Sequence, residues 1–358
     1  MREAAVSEIL VRGPNWLGDL VMATPGLRSL RAGFPEARIT LQIRRGLEGL
    51  LEGSPYLDEI KTFNSYHRGP LALISEARQW RNSRRFDLGI CLPDSFSSAL
   101  FMKGAGVRKV VGYAQPGRGL LLDESVEPLA RQRGQLWVAR EEHVLGLMRF
   151  LGCPDVGTEL SLPMADAPHE KLARLLGELD PSIDDAPWVV VAPGASYGSS
   201  KRWPTSHFAE VGDALAGAGA HVLLVGTAEE SELTRAVLDA MRAPAIDLAG
   251  RLDLGALKFV IGKSRLLVAN DAGSRHIAAA FGVPSLIFFG STTTEKTPLN
   301  LEAVRVFERD LDCRPCYKRV CPRPGHPCLS GISPSGVSEV ALEMLSEPPQ
   351  SEPETRFA

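Results

Sequence analysis

The stretch Trp188-Val189-Val190-Val191-Ala192-Pro193-Gly194-Ala195-Ser196-Tyr197-Gly198-Ser199-Ser200-Lys201-Arg202-Trp203-Pro204 decides how the chain folds. The apolar run Trp188–Ala192 is too short for a helix and reads as a strand covered on both faces, as in a parallel sheet. A glycine-bearing loop with two adjacent cations follows, and Pro204 opens a helix. Unpaired loop N–H groups, a helix start and Lys201 favour negative charge at one point. Phosphate is the anion that fits, carried by a nucleotide or a phosphorylated sugar. The bland alternative is a surface loop with solvated cations.

The same strand-then-helix alternation recurs on both sides. Upstream, strands are expected at 9–12, 38–43, 58–61, 86–91 and 109–112, with helices at 19–32, 47–51, 71–81 and 97–102. Downstream, strands at 221–225, 266–269 and 285–289 alternate with helices at 206–216, 229–241, 254–261 and 273–281. Strands separated by helices mean parallel sheets with helices on both faces. Residues 114–186 are less regular, with helices at 141–151 and 170–179. The acidic and proline-bearing stretch 180–187 reads as a linker. The expected class is α/β: two Rossmann-like parallel-sheet domains, 1–180 and 181–345, facing across a cleft. A proline-rich tail, 346–358, is expected to be disordered.

A chain of 358 residues with 44% apolar and 23% charged side chains has the composition of a globular protein large enough for two domains. No apolar run reaches the length of a membrane span, and no basic-then-apolar leader opens the chain. A cytoplasmic protein is expected, at most held to a membrane surface. The net charge of −3 argues against a general nucleic-acid binder. Residues 1–180 carry 23 basic and 22 acidic side chains, so the acidic excess lies in the second half. Basic clusters in the first half are Arg44-Arg45, Arg78 with Arg81, Arg84 and Arg85, Lys103 with Arg108 and Lys109, and Arg131 with Arg133. Two or three of them converging on a cleft would suit an acidic acceptor.

Ligands of parallel sheets bind beyond the carboxyl ends of strands. Besides the Gly194–Lys201 loop, Arg12-Gly13-Pro14-Asn15-Trp16-Leu17-Gly18-Asp19 follows the first strand. Asp19 there is either a helix cap or a general base. Asn270-Asp271-Ala272-Gly273-Ser274-Arg275-His276 joins a strand to a helix. Asp271 can cap that helix, Gly273 admits close approach of backbone to a ligand, and His276 lies in the first turn. Glu229, after the strand at 221–225, either holds a ribose hydroxyl or faces solvent. No G-x-G-x-x-G fingerprint follows a strand, and nucleophile-elbow, zincin and Walker A motifs are missing. Asp310-Leu311-Asp312 is a lone D-x-D and is discounted. Cys313, Cys316, Cys321 and Cys328, spaced C-x2-C-x4-C-x6-C with His326 inside, are candidate ligands of a structural zinc or pairs for disulfides.

Taken together, Gly13-Pro14-Asn15-Trp16-Leu17-Gly18-Asp19, the Pro193–Pro204 loop and Asn270-Asp271-x-Gly273-x-x-His276-x-Ala278-Ala279 resemble the bacterial lipopolysaccharide heptosyltransferases, glycosyltransferase family 9. The Cys313-x-x-Cys316-Tyr317-Lys318-Arg319-x-Cys321-Pro322 segment looks most like their heptosyltransferase II branch. The resemblance implies a GT-B fold, an ADP-heptose donor and an inner-core lipopolysaccharide acceptor at the cytoplasmic face of the inner membrane. It implies inversion at the anomeric centre with no cofactor required for catalysis. By position, Asp19 is the base and Lys201 the diphosphate ligand, brought together by cleft closure. Asn15 and Trp16 lie beside the transferred sugar, and Ser196 and Tyr197 contact phosphate. Asp271, Ala272 and Gly273 hold the donor, with His276 close by. Ala272 departs from the family, which carries a hydroxyl there, so a backbone N–H supplies that hydrogen bond or it is lost.

Two other readings stay open on these residues. One is a GT-B transferase using another nucleotide sugar, since diphosphate recognition says little about the sugar. The other is a non-catalytic nucleotide-binding protein of the same fold, indifferent to Asp19.

Overall fold

A computed structural model describes residues 6–63, 69–129, 137–165, 170–180, 182–183 and 186–348. The chain divides into two compact units, Met1–Pro163 and Met164–Ala358. This boundary lies ahead of the one expected at 180/181. Helix Glu170–Leu179 buries Leu172 and Leu176 and belongs with the second unit, so the acidic stretch at 180–187 follows the first element of that unit rather than preceding it. Parts of that stretch, the cluster Arg131 and Arg133, and the tail from 349 lie outside the described residues.

The first unit runs β1 (Glu8–Arg12), α1 (Leu17–Val21), α2 (Thr24–Gly33), β2 (Arg38–Arg44), α3 (Glu48–Leu51), β3 (Glu59–Phe63), α4 (Gly69–Ser83), β4 (Leu88–Cys91), α5 (Phe96–Gly104), β5 (Lys109–Tyr113), β6 (Glu124–Val126) and α6 (Arg140–Phe150). Its sheet is parallel throughout, in the order β3-β2-β1-β4-β5-β6. The order reverses between β1 and β4, where Arg12 stands opposite Cys91. Loops leaving those neighbouring strand ends diverge and open a crevice, the usual ligand position in such sheets. Leu10, Phe86, Phe101, Met102 and Val110 form an apolar core beneath α4 and α5.

The second unit opens with α7 (Glu170–Leu179) and continues β7 (Trp188–Ala192), α8 (Thr205–Gly217), β8 (His221–Leu224), α9 (Ser231–Ala240), β9 (Ile246–Asp247), α10 (Leu254–Lys263), β10 (Leu266–Asn270), α11 (Gly273–Ala280), β11 (Ser285–Phe288), β12 (Val304–Phe307), α12 (Pro327–Ser330) and α13 (Pro334–Ser346). Its parallel sheet is ordered β12-β11-β10-β7-β8-β9, the same winding repeated, with the reversal between β7 and β10. Trp203 stacks on Phe288 at 4.0 Å between ring centroids and packs with Phe208, Val191 and Leu329. That contact seats the end of the Pro193–Pro204 loop in the core.

Where apolar runs were longest, element and type agree with expectation. The single helix expected over 19–32 is two, because Pro25 lacks the N–H that a continuous helix needs and starts α2 afresh. Of the basic clusters, Lys103 pairs with Asp123 at 2.6 Å, Lys109 with Glu124 at 2.7 Å and Arg84 with Glu59 at 2.8 Å. Those cations neutralise local carboxylates, and Arg84 does so while lining a cavity with Glu59 and Lys61. Arg44 and Arg45 are exposed at the end of β2.

Candidate active site

In the second unit three segments meet at the carboxyl ends of β7, β10 and β11. Asn270, the last residue of β10, is buried; its Oδ1 accepts from Trp203 N–H at 2.9 Å and its Nδ2 donates to Pro193 O at 2.8 Å. One amide thus ties the Pro193–Pro204 loop to the strand beside it. Among the described residues, none of the backbone N–H groups of 194–199 has a hydrogen-bond acceptor in the protein. Ser196 is exposed, and Tyr197 donates its hydroxyl proton to Tyr317 O at 2.5 Å.

The cysteine-bearing segment braces this loop. Ser200 N–H donates to Arg319 O at 3.1 Å, and His326 Nε2 lies 3.0 Å from Ser200 O. Gly198 is required at this contact: a Cβ there would sit 2.2 Å from Arg319 O. Arg314 pins the other side, donating to Gly290 O at 2.6 Å and Thr292 O at 3.1 Å. Cys313, Cys316, Cys321, Cys328 and His326 share the lining of one cavity of about 270 Å³. All four thiols are free, and among the described residues no group of three or more His, Cys, Asp or Glu is arranged to hold a metal ion.

Asp271 does not cap α11. The N-cap is Ala272, with no side-chain hydrogen bond to the first turn. The Asp271 carboxylate instead accepts from Lys201 Nζ at 2.6 Å, Arg275 Nε at 2.9 Å and Thr292 Oγ1 at 2.6 Å. Burial works to raise its pKa, but the charges of Arg275 and Lys201 outweigh it and hold the acid well below the carboxylate range. Lys201 also donates to Asp271 O at 2.9 Å, leaving one of its three N–H groups for a ligand. Burial, with the cations Arg275 and Lys201 beside it, pushes His276 well below its ordinary value, so it is neutral at pH 7. Two cations against one carboxylate leave a net positive charge beside the uncapped N-terminus of α11. Such a place favours an anion.

Glu229 is exposed beyond β8. Its neighbour Glu230 accepts from Thr227 N–H at 3.1 Å, and its carboxylate fills the space a side chain on Gly194 would need. Asp312 of the D-x-D pairs with Arg323 at 2.9 Å.

In the first unit Asn15, Trp16 and Asp19 follow β1. Trp16, 54% exposed, occupies the N-cap of α1. Asp19 is therefore not the cap; it sits in the first turn, half-buried, with no hydrogen bond or ion pair to a described residue. Asn15 Oδ1 is buried without a partner among the described residues. A second group here had no signal in the sequence. Asp94, just beyond β4, meets His143 of α6 at 3.1 Å and the buried Arg118 at 3.5 Å. Those contacts span 49 and 24 positions, and only the winding of the sheet brings them together.

The sequence profile of glycosyltransferase family 9 (heptosyltransferase) matches residues 77–326. Lipopolysaccharide heptosyltransferase 2 of Salmonella typhimurium is 30% identical over 353 residues, covering 95% of this chain and 99% of that protein. The enzyme of the same name from Escherichia coli K12 is 30% identical over 348 residues, covering 94% and 98%. The solved structure of E. coli ADP-heptose lps heptosyltransferase II superposes with a TM-score of 0.76 at 26% identity, covering 94% of this chain and 98% of that one.

Proposed function

Since this chain belongs to glycosyltransferase family 9, the heptosyltransferases, we propose that it moves heptose from ADP-heptose to the heptose-bearing inner core of lipopolysaccharide. Its two Rossmann-like units are the pair that makes up the GT-B fold. The observation that carries the donor assignment is the Lys201–Asp271–Arg275 cluster beside the uncapped start of α11, a net-cationic place at a topological switch point.

In the proposed reaction an acceptor hydroxyl oxygen attacks the anomeric carbon of the donor. The bond from that carbon to the diphosphate oxygen breaks, and its electron pair leaves with ADP. Asp19 takes the hydroxyl proton, for which its carboxylate has no competing partner among the described residues. Lys201 and the first N–H groups of α11 stabilise the charge that grows on the diphosphate. Preorganised donors of this kind contribute about 3–4 kcal/mol each to lowering a barrier. Attack opposite the leaving group inverts the anomeric centre, by the logic that governs carboxylate-assisted glycoside cleavage. Ser196, Tyr197 and Gly273 line the diphosphate, while Asn15 and Trp16 lie beside the transferred sugar. The Ala272 position is served by backbone N–H.

No step is assigned to a metal. The segment carrying the four cysteines has a bracing part, through Arg319, His326 and Arg314, and zinc analysis of the purified protein tests the expectation of a structural ion. Among the described residues no helix is long and apolar enough to cross a membrane. The reading places its action at the cytoplasmic face of the inner membrane, where a lipid-anchored acceptor would be met. The deciding experiment incubates the protein with ADP-heptose and a heptose-bearing core saccharide. A mass gain of one heptose with release of ADP is expected; turnover with UDP- or GDP-sugars alone would replace the donor assignment.

A further inference from the structure

We propose that Asp94 is a sugar-binding residue of the first unit, gripping hydroxyl groups of the acceptor, with His143 and Arg118 as its positioning residues. This rests on the transferase reading above. Leu92 N–H donates to Arg12 O at 3.1 Å, so the loop carrying Asp94 leaves the sheet beside the loop carrying Asn15, Trp16 and Asp19. Both belong to the β1/β4 reversal, where the winding opens a crevice.

The residues around Asp94 are held from behind and leave it open in front. His143 stacks on Tyr113 with centroids 4.1 Å apart, and Tyr113 donates its hydroxyl proton to His143 O at 2.8 Å. Gly146, one turn on, leaves room for that hydroxyl: a Cβ there would stand 2.2 Å from it. Arg140 donates to Leu92 O at 3.1 Å and Ser98 Oγ to Pro93 O at 3.1 Å, so the loop is pinned from both sides. The His143 and Arg118 side chains are 15% and 1% exposed, whereas that of Asp94 is 31% exposed. Burial works to raise the Asp94 pKa and is outweighed by the hydrogen bond and charge of His143, then by Arg140 and Arg118. It is therefore ionised at neutral pH.

An ionised carboxylate has about four lone-pair directions and forms strong charge-assisted bonds with hydroxyl donors. Contacts at 3.1–3.5 Å to two partners leave some of those directions free. A pair of neighbouring sugar hydroxyls matches the two oxygens. Phe96, two residues on and 53% exposed, and Trp16 on the adjoining loop offer aromatic faces for the apolar side of a sugar ring. The competing role is a counter-charge for buried Arg118, whose contact to Asp94 is 3.5 Å. The shorter Arg118 bond, 3.2 Å, goes to Tyr113 O rather than to Asp94.

The test uses the full-length protein, ADP-heptose and a soluble deacylated core saccharide. Asp94→Asn is expected to raise the acceptor KM at least tenfold, with kcat, donor KM and ADP affinity changed less than threefold. His143→Ala is expected to follow it, and His143→Gln to recover part of the loss. An unchanged acceptor KM with a lowered melting temperature would make Asp94 structural and overturn the proposal; so would a collapse of kcat at constant KM. A wild-type protein that transfers nothing would sink the transferase reading itself. Calorimetric titration with the saccharide still reads Asp94 in that case, and equal affinity of wild type and Asp94→Asn would overturn its role.

Discussion

Lys201 and Asp271 stand 70 positions apart in sequence, and the ammonium nitrogen of one lies 2.6 Å from a carboxylate oxygen of the other. Asp271 is shared with Arg275, which holds its second oxygen at 2.9 Å. The carboxylate thus aims Lys201, while Arg275 supplies the charge that lets the lysine keep a surplus for a ligand. Lys201→Ala is expected to weaken ADP binding and to lower kcat/KM about 10²–10³-fold, the usual loss for one preorganised donor. Asp271 keeps two partners, so stability should fall by less than the ~3–5 kcal/mol typical of orphaning a buried charge. Calorimetry with ADP and a melting curve separate the two effects. Unaltered ADP affinity would remove the lysine from the diphosphate.

Asp19 makes no hydrogen bond to a described residue that folding would miss. Asp19→Asn keeps its shape and should leave the melting temperature and ADP affinity as they are, while kcat falls about 10²–10⁴-fold. A melting temperature lowered by several degrees would show instead that the carboxylate supports α1.

How much of this could be read from the chain alone depended on sequence distance. The strand Trp188–Ala192 and its loop were legible because an apolar run followed by glycine, cations and proline is a local pattern. β6 and β9 are not legible in the chain alone: Glu124-Ser125-Val126 and Ile246-Asp247 are too short and too polar to show alternation. The salt bridge from Asp271 to Arg275 is a plain i, i+4 pair, legible in the sequence. The Lys201 and Thr292 contacts of Asp271, and the meeting of Asp94 with His143, are set by strand order across long separations. No spacing rule reports them. The thiols show the reverse case: a spacing suggestive of metal, and a shared cavity in which the described side chains are not arranged as ligands.

Gly198 couples the cysteine segment to the Pro193–Pro204 loop through one close contact. The neighbour of an added methyl would be backbone, Arg319 O, which cannot swing aside. Gly198→Ala is therefore expected to displace the loop from Ser200 and Tyr197, raising the donor KM at least tenfold while acceptor KM stays put. Gly336→Ala, on α13 where an added Cβ would meet nothing within 4 Å beyond its own helix, serves as the silent control. Equal donor KM in both variants would show that the brace does not reach the donor.

The neutral state of His276 gives the protein a definite response to acid. Burial and the charges of Arg275 and Lys201 hold its folded pKa well below 6.5, against the opposing pull of Asp271. An unfolded chain protonates the same ring near pH 6.5. Below that point the unfolded state binds a proton that the folded state refuses, so stability is complete above about pH 6.5 and declines as pH falls. The slope is about 1.4 kcal/mol per pH unit for one proton. His326 is lowered as well, by burial against the bond to Ser200 O, and adds a contribution of the same sign. Asp271, held well below the carboxylate range, loses its contribution only in much stronger acid, so it does not confuse this window. Urea unfolding at pH 7.5, 6.5 and 5.5 should show stability dropping between the last two values. In His276→Gln that drop should shrink by about one proton's worth, while the first interval stays flat in both proteins. An identical acid slope in the variant would mean that His276 titrates freely in the folded state, and the closed, cation-lined setting described for it would have to be abandoned.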